Sequence, residues 1–64
     1  MNSQRDTDWT LSARQNWWRR LNGEMLVVGK GRDADYWAMV DGDFLADHFQ
    51  YLEQAQSAAE RGAQ

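Results

Sequence analysis

The sequence predicts an α+β domain, in which a small antiparallel sheet of three or four strands is covered by one C-terminal helix. Two observations support this fold class. Asn22-Gly23 and Asp41-Gly42 each stand between strand-like segments, and such dipeptides tolerate the positive φ angles of a type I′ hairpin turn. After Asp47 the spacing of apolar residues changes from a strand period to a helical one. The pattern therefore predicts two hairpins followed by a helix.

The first hairpin joins "WWRRL" to "EMLVVG". A two-residue turn between these segments pairs Leu21 with Glu24 and Trp18 with Val27. Because side chains alternate along a strand, Trp17 and Trp18 then lie on opposite faces of the sheet. At most one of them is expected in the core.

The second hairpin joins "YWAMV" to "DFLA", after a loop predicted for "GKGRDAD". Pairing Met39 with Phe44 and Trp37 with Ala46 places four apolar side chains on one face. We predict that this face is the core of the domain.

The C-terminal helix is predicted to begin near Asp47, where Asp47 and Gln50 have the spacing of a capping box. Gly62 is the expected stop. Residues at intervals of three and four form one narrow apolar stripe that would pack on the sheet, namely Phe49, Leu52, Ala55 and Ala59.

The two segments that precede the first hairpin have less defined patterns. Residues 9–16 fit a strand and a helix equally well, because their apolar positions satisfy both periods. Residues 1–8 are polar and aperiodic, which predicts a flexible tail before a single domain over residues 9–64.

Composition limits the class of protein. A chain of 64 residues without cysteine has no thiolate to act as a nucleophile or zinc ligand. No segment has the length and apolar character of a signal peptide or a membrane span, so we expect a cytoplasmic protein without membrane contact.

No arrangement of residues predicts catalysis, a metal site or a cofactor. Counting from Asp41 as the first ligand of a calcium loop, Leu45 and Leu52 stand where the fifth and twelfth ligands belong. The one histidine, His48, follows Asp47 directly, and strand alternation would separate the two. The three serines have no histidine at a recognisable spacing. We therefore expect a protein that is not an enzyme.

Charge is divided between the two halves of the chain. Residues 1–32 carry six basic and three acidic side chains, a net of +3, whereas residues 33–64 carry one basic and seven acidic side chains, a net of −6. Such an acidic half would attract a basic partner, and an aromatic residue beside arginines would anchor the contact. The predicted partner-binding residues are Asp33, Asp35, Asp41, Asp43, Asp47, Glu53 and Trp17.

Three other interpretations remain open. The acidic half is also explained as a solvated surface that keeps the protein soluble, and arginines of the first half would then neutralise part of it across the sheet. The aromatic and basic residues of "WWRR" and "GKGR" would suit a small nucleic-acid-binding module that uses Arg19, Arg20, Lys30 and Arg32, although the chain is acidic, with a pI of about 4.8. The third interpretation is a homodimeric structural domain.

One resemblance covers roughly residues 35–60. In "YWAMVDGDFLADHFQYLEQAQSAAE", the residue Trp37, the Asp41-Gly42 turn, Leu45 and the alanine-rich helix resemble the ends of small hairpin-plus-helix proteins encoded by phages and mobile elements. Some anti-CRISPR proteins are compact acidic domains of this kind. The resemblance implies an inhibitor that acts in the host cytoplasm and blocks the nucleic-acid-binding groove of a CRISPR effector complex.

Overall fold

The computed structural model describes residues 9–63, which form a five-stranded antiparallel sheet and one helix. The strands follow one another in the sheet in chain order, β1-β2-β3-β4-β5. Their bounds are Thr10–Leu11, Trp17–Leu21, Glu24–Lys30, Tyr36–Val40 and Asp43–Phe44, and helix α1 spans Leu52–Gly62. This is the α+β class that the sequence predicts, and the flexible tail predicted for residues 1–8 lies outside the described residues.

Both hairpin turns are confirmed. Leu21 pairs with Glu24 and Trp18 with Val27, and both turn residues of the first hairpin have positive φ, 53° at Asn22 and 80° at Gly23. The second turn has φ angles of 51° and 92° at its Asp-Gly pair. Local turn chemistry thus sets the registers of the β2–β3 and β4–β5 hairpins.

The sheet has one strand more than the upper number predicted, because part of the ambiguous segment 9–16 forms β1. Its two residues, Thr10 and Leu11, pair with Trp18 and Trp17 of β2. Strand β3 also continues to Lys30, so "GK" of the predicted loop belongs to the sheet. The loop itself is confined to the residues between β3 and β4.

The predicted core face is wrong. Phe44 is 65% exposed and Ala46 is exposed, whereas the fully buried strand residues point the other way, namely Leu26, Val28 and Ala38. The predicted pairing of Trp37 with Ala46 is also absent, since β5 ends at Phe44 and Tyr36 forms a bridge with Phe49 instead. Strand alternation was correctly assigned, but the helix covers the opposite face.

Small side chains line the contact between α1 and this face of the sheet. Helix α1 presents Ala55, Ala59 and the adjacent Ala63 to the sheet, and all three are buried. The strand residue Ala38 is also fully buried, and Gly62 lies so close to β4 that an added Cβ would come within 3.2 Å of Val40 Cγ2. Small residues at these contacts let the helix lie close to the sheet.

The helix begins four residues later than predicted. Tyr51 is its N-cap, and the backbone N–H of Tyr51 donates to Gln54 Oε1 at 3.3 Å. The predicted cap at Asp47 is therefore wrong. Phe49 lies before the helix, although it does pack against the core. The expected end at Gly62 is confirmed.

We call the face of the sheet that α1 does not cover the open face. Alternate residues of β2, β3, β4 and β5 place their side chains there, and these are half-buried or exposed, namely Trp18, Arg20, Met25, Val27, Trp37, Met39 and Phe44. Trp37 and Phe44 contact each other edge to face, with ring centroids 5.4 Å apart. No described element lies over these side chains.

Gly29 makes room for Trp37 on the open face. The two residues pair across β3 and β4, and a Cβ at position 29 would overlap the indole of Trp37 and lie 2.7 Å from Asn16 Oδ1. The indole thus covers the backbone of a residue that has no side chain of its own, as aromatic residues do beside strand glycines.

Replacing Gly29 by alanine is expected to lower the free energy of unfolding by about 1–3 kcal/mol, because the indole of Trp37 must move aside. Urea denaturation measures the loss. The variant Trp37→Leu lacks the indole, so adding Gly29→Ala to it should lower the free energy of unfolding by less than in the wild type. An equal loss of stability in the two backgrounds would contradict the contact between Gly29 and Trp37.

Candidate functional site

The outermost segment of the sheet and the turn and loop beside it carry five of the six predicted acidic residues. After β5, the chain continues along β4: the N–H of Leu45 donates to the carbonyl of Ala38 at 2.8 Å, and Tyr36 and Phe49 exchange two backbone hydrogen bonds of 2.7 and 2.8 Å. These bonds fix residues 43–49 as one edge of the domain. We call this segment, with the β4–β5 turn and the β3–β4 loop, the acidic edge.

The structure places the acidic residues of this edge in two groups. Asp41 and Asp43 lie at the β4–β5 turn, whereas Asp33 and Asp35 lie in the loop before β4. The six residue steps from Asp35 to Asp41 correspond to about 20 Å at roughly 3.3 Å per residue. This exceeds the screening length of about 8 Å at physiological ionic strength, so the two groups act as separate charges.

Four acidic residues of the edge make no ion pair with another described residue. Asp33, Asp41, Asp43 and Asp47 are all exposed, and none lies within ion-pair distance of a described arginine or lysine. Their carboxylates are therefore open to solvent and to the positive groups of a partner.

Asp35 differs from the others because it contacts the one histidine. Nδ1 of His48 lies 2.8 Å from Asp35 Oδ2, and a carboxylate can only accept, so the ring N–H donates. His48 itself is 59% exposed. The contact joins the β3–β4 loop to the outer segment and holds both in place.

Two predicted site residues lie away from the acidic edge. Glu53 is in the first turn of α1, and Trp17 is half-buried against the core. Together with Trp9 they line a depression of about 350 Å³ on the side of the sheet that the helix covers. The structure thus brings Trp17 close to Glu53 but not to the aspartates.

Glu60 differs from the exposed acidic residues because it is paired. Its Oε2 accepts from Arg19 Nη1 at 2.7 Å and from the indole N–H of Trp9 at 3.1 Å. The side chains of Arg19 and Glu60 are only 17% and 15% exposed. Neutralisation across the structure therefore does occur, but it joins β2 to the helix and leaves the exposed aspartates of the edge unaffected.

The basic residues proposed for nucleic-acid binding do not form one surface. Arg19 lies between the sheet and the helix in the ion pair with Glu60. Arg20 is exposed on the open face near the β2–β3 turn, whereas Lys30 and Arg32 are at the far end of β3. A strand of nucleic acid would need these charges along one continuous track, so the arrangement does not favour this alternative.

No cluster of metal ligands occurs between residues 9 and 63: no three His, Asp or Glu side chains are close enough to hold an ion. Ser57 lines the same open depression of about 440 Å³ as His48, but no hydrogen bond joins the two side chains. The Asp35–His48 pair thus lacks the third member of a catalytic triad.

No described helix is long and apolar enough to cross a membrane. Comparison of the chain with protein-family models, with curated proteins and with solved structures finds no match.

The open face is the feature that sequence reasoning missed. The pattern correctly places Trp37, Met39 and Phe44 on one side of the sheet, but it predicts that this side is the core. Both faces carry large apolar side chains, so the sequence pattern alone does not show which one the helix covers.

Proposed function

We propose that this chain is a non-enzymatic interaction protein whose acidic edge binds a basic surface on a larger partner. The observation that carries the proposal is the set of four exposed carboxylates along one edge that make no ion pair with the described residues. Exposed charges of one sign accelerate and orient the approach of an oppositely charged surface.

The spacing of these charges indicates the kind of basic surface. The carboxylates lie in two groups, one at each end of β4 and roughly 20 Å apart, and not in one evenly spaced row. A partner surface that presents two basic patches at a similar separation is the one that this arrangement fits.

In its most specific form, the proposal is an anti-CRISPR-like inhibitor that acts in the host cytoplasm. Its acidic edge would occupy the nucleic-acid-binding groove of a CRISPR effector complex. Because Trp17 packs against the core, the contact depends on the carboxylates, and the aromatic anchor proposed from the sequence is not required.

Neutralising the outer segment is expected to weaken this binding. Asp43→Asn combined with Asp47→Asn removes two exposed carboxylates, each worth up to about 1 kcal/mol in an ion pair, so inhibition should require a roughly five- to thirtyfold higher concentration. The measurement is displacement of a fluorescent target DNA from purified, guide-loaded effector complexes at low salt.

A control variant distinguishes the effect of where the charges lie from the effect of net charge alone. Glu24→Lys changes the net charge by the same two units but lies at the start of β3, two strands from β5. It should inhibit as the wild type does. Equal weakening by both variants, or no displacement from any effector complex, would overturn the proposal.

The alternative of direct nucleic-acid binding has its own readout. If the chain used Arg20, Lys30 and Arg32 in this way, a labelled single-stranded oligonucleotide would bind to the chain alone, and its affinity would fall steeply with salt. Under the proposed function we expect no such binding.

A further inference from the structure

The open face carries a continuous apolar row that crosses the sheet. The strand registers align Trp18, Val27, Met39 and Phe44 side by side from β2 to β5. Phe44 is 65% exposed and Trp18 is 37% exposed. Large side chains at this degree of exposure in one row mark an interaction surface rather than scattered surface residues.

A second row on the same face has opposite charges at its two ends. Arg20 of β2 pairs with Met25 of β3, and the N–H of Asp41 donates to the carbonyl of Met25 at 2.7 Å. Arg20 and Asp41 are both exposed and lie on opposite sides of Met25. The row therefore has a positive charge at Arg20, an apolar side chain at Met25 and a negative charge at Asp41.

This order of charges is self-complementary under one particular symmetry. A two-fold axis that lies over β3 and parallel to it turns a second copy over so that its β4 lies on β2 of the first and its β5 on β1. Arg20 then faces Asp41 of the second copy, and the same contact occurs twice, as in any isologous interface. Trp18 likewise faces Met39 of the second copy, with Phe44 of that copy beside it.

The shape of the open face fits this arrangement. Trp18, Met25 and Val27 line a depression of about 350 Å³ together with Ser12 and Asn16. On the opposite side of the face, Phe44 is the most exposed of the large apolar side chains. The same axis brings Phe44 of one copy to the depression of the other.

We propose that the open face binds a second copy of this chain, with the two sheets packed face to face about an axis parallel to β3. Packing of two sheets through their apolar faces is the usual way in which a sheet covered on one side buries the other. The inference goes beyond the proposed function, because Asp43 and Asp47 lie outside the contact and remain available on each copy.

The dimer should be weak. Three central strands of about 16–23 Å and two outer strands of about 7 Å, spaced roughly 4.8 Å apart, give a footprint of about 350 Å² per copy, less than half the roughly 800 Å² per partner of a standard stable interface. We therefore expect dissociation at a Kd of roughly 10–500 μM. A concentration series is needed to detect the dimer.

Sedimentation equilibrium of the full chain tests the proposal. From low micromolar to about 1 mM protein, the average mass should rise from 7.5 kDa toward twice that value. Phe44→Ser removes an apolar contact that occurs twice per dimer. If each contact is worth about tenfold in affinity, Kd should rise about 100-fold.

Tyr51→Ser is the matched control. Tyr51 is also an exposed aromatic residue, at 57%, but it lies at the N-cap of α1, where serine is well tolerated. Its Kd should equal that of the wild type, and unchanged melting temperatures at low concentration would show that both variants fold.

Arg20→Glu tests the axis itself. It places a second carboxylate opposite Asp41 and should raise Kd at least tenfold at low salt, with partial recovery at high salt. A wild type that stays monomeric to 1 mM, a dimer that Phe44→Ser does not weaken, or a Kd that Arg20→Glu leaves unchanged would each overturn the proposal.

Discussion

Replacing Leu26 by alanine is expected to lower the free energy of unfolding by about 3 kcal/mol, within the range of 2–5 kcal/mol for buried leucines. Leu26 is fully buried on the face that the helix covers, where its removal leaves a cavity under rigid neighbours. A chain of this length has roughly 3–10 kcal/mol in total, so the variant should lose about a third or more of its stability.

Urea denaturation followed by circular dichroism measures this loss. Met25→Ala serves as the control, because Met25 is the adjacent residue of β3 and lies on the open face. It should cost no more than about 1 kcal/mol, since much of its surface is already in water. A loss below about 1 kcal/mol for Leu26→Ala would place the core elsewhere.

Replacing Glu60 by alanine is expected to cost about 2 kcal/mol, although Glu60 is a charged residue on a helix. Its carboxylate accepts hydrogen bonds from Arg19 and Trp9, and its removal takes an acceptor from both donors in a site that water reaches poorly. Removing one partner of such a pair costs more than removing an exposed ion pair.

Glu53→Ala provides the comparison on the same helix. Glu53 is exposed and makes no ion pair with a described residue, so its loss should change the free energy of unfolding by less than about 0.5 kcal/mol. Thermal melts of the two variants at neutral pH measure the difference. Equal effects would show that the contact of Glu60 with Arg19 and Trp9 contributes little to stability.

The hairpins were predictable because residues adjacent in the sequence determine them. Asn22-Gly23 and Asp41-Gly42 adopt positive φ angles without strain, and a two-residue turn fixes the pairing of the strands on either side. The exposed aspartates of the edge were predictable for the same reason, since turns and loops place their side chains in water.

The core face and the start of the helix were not predictable in this way. Which face the helix covers depends on the packing of α1 against residues such as Ala38 and Val40 of β4, a property of the assembled structure. Phe49 has the correct helical spacing, but its backbone pairs with Tyr36 and delays the helix. These are tertiary effects that override local periodicity.

The ion pair of Glu60 was missed because its partners are distant in the chain. Arg19 is 41 residues away and Trp9 is 51 residues away. Counting charges by halves of the sequence therefore gives no sign of this pair. The aspartates of the outer segment are exposed, and their role in binding stays a prediction.

The central claim is that one face of the sheet is the core and the other is open, and two neighbouring valines test it most directly. Val28 is fully buried beneath the helix, and Val27 lies on the open face. We expect Val28→Ala to lower the free energy of unfolding by about 1.5–3 kcal/mol and Val27→Ala by less than about 1 kcal/mol, both measured at low micromolar protein. A larger loss for Val27→Ala than for Val28→Ala would contradict the account.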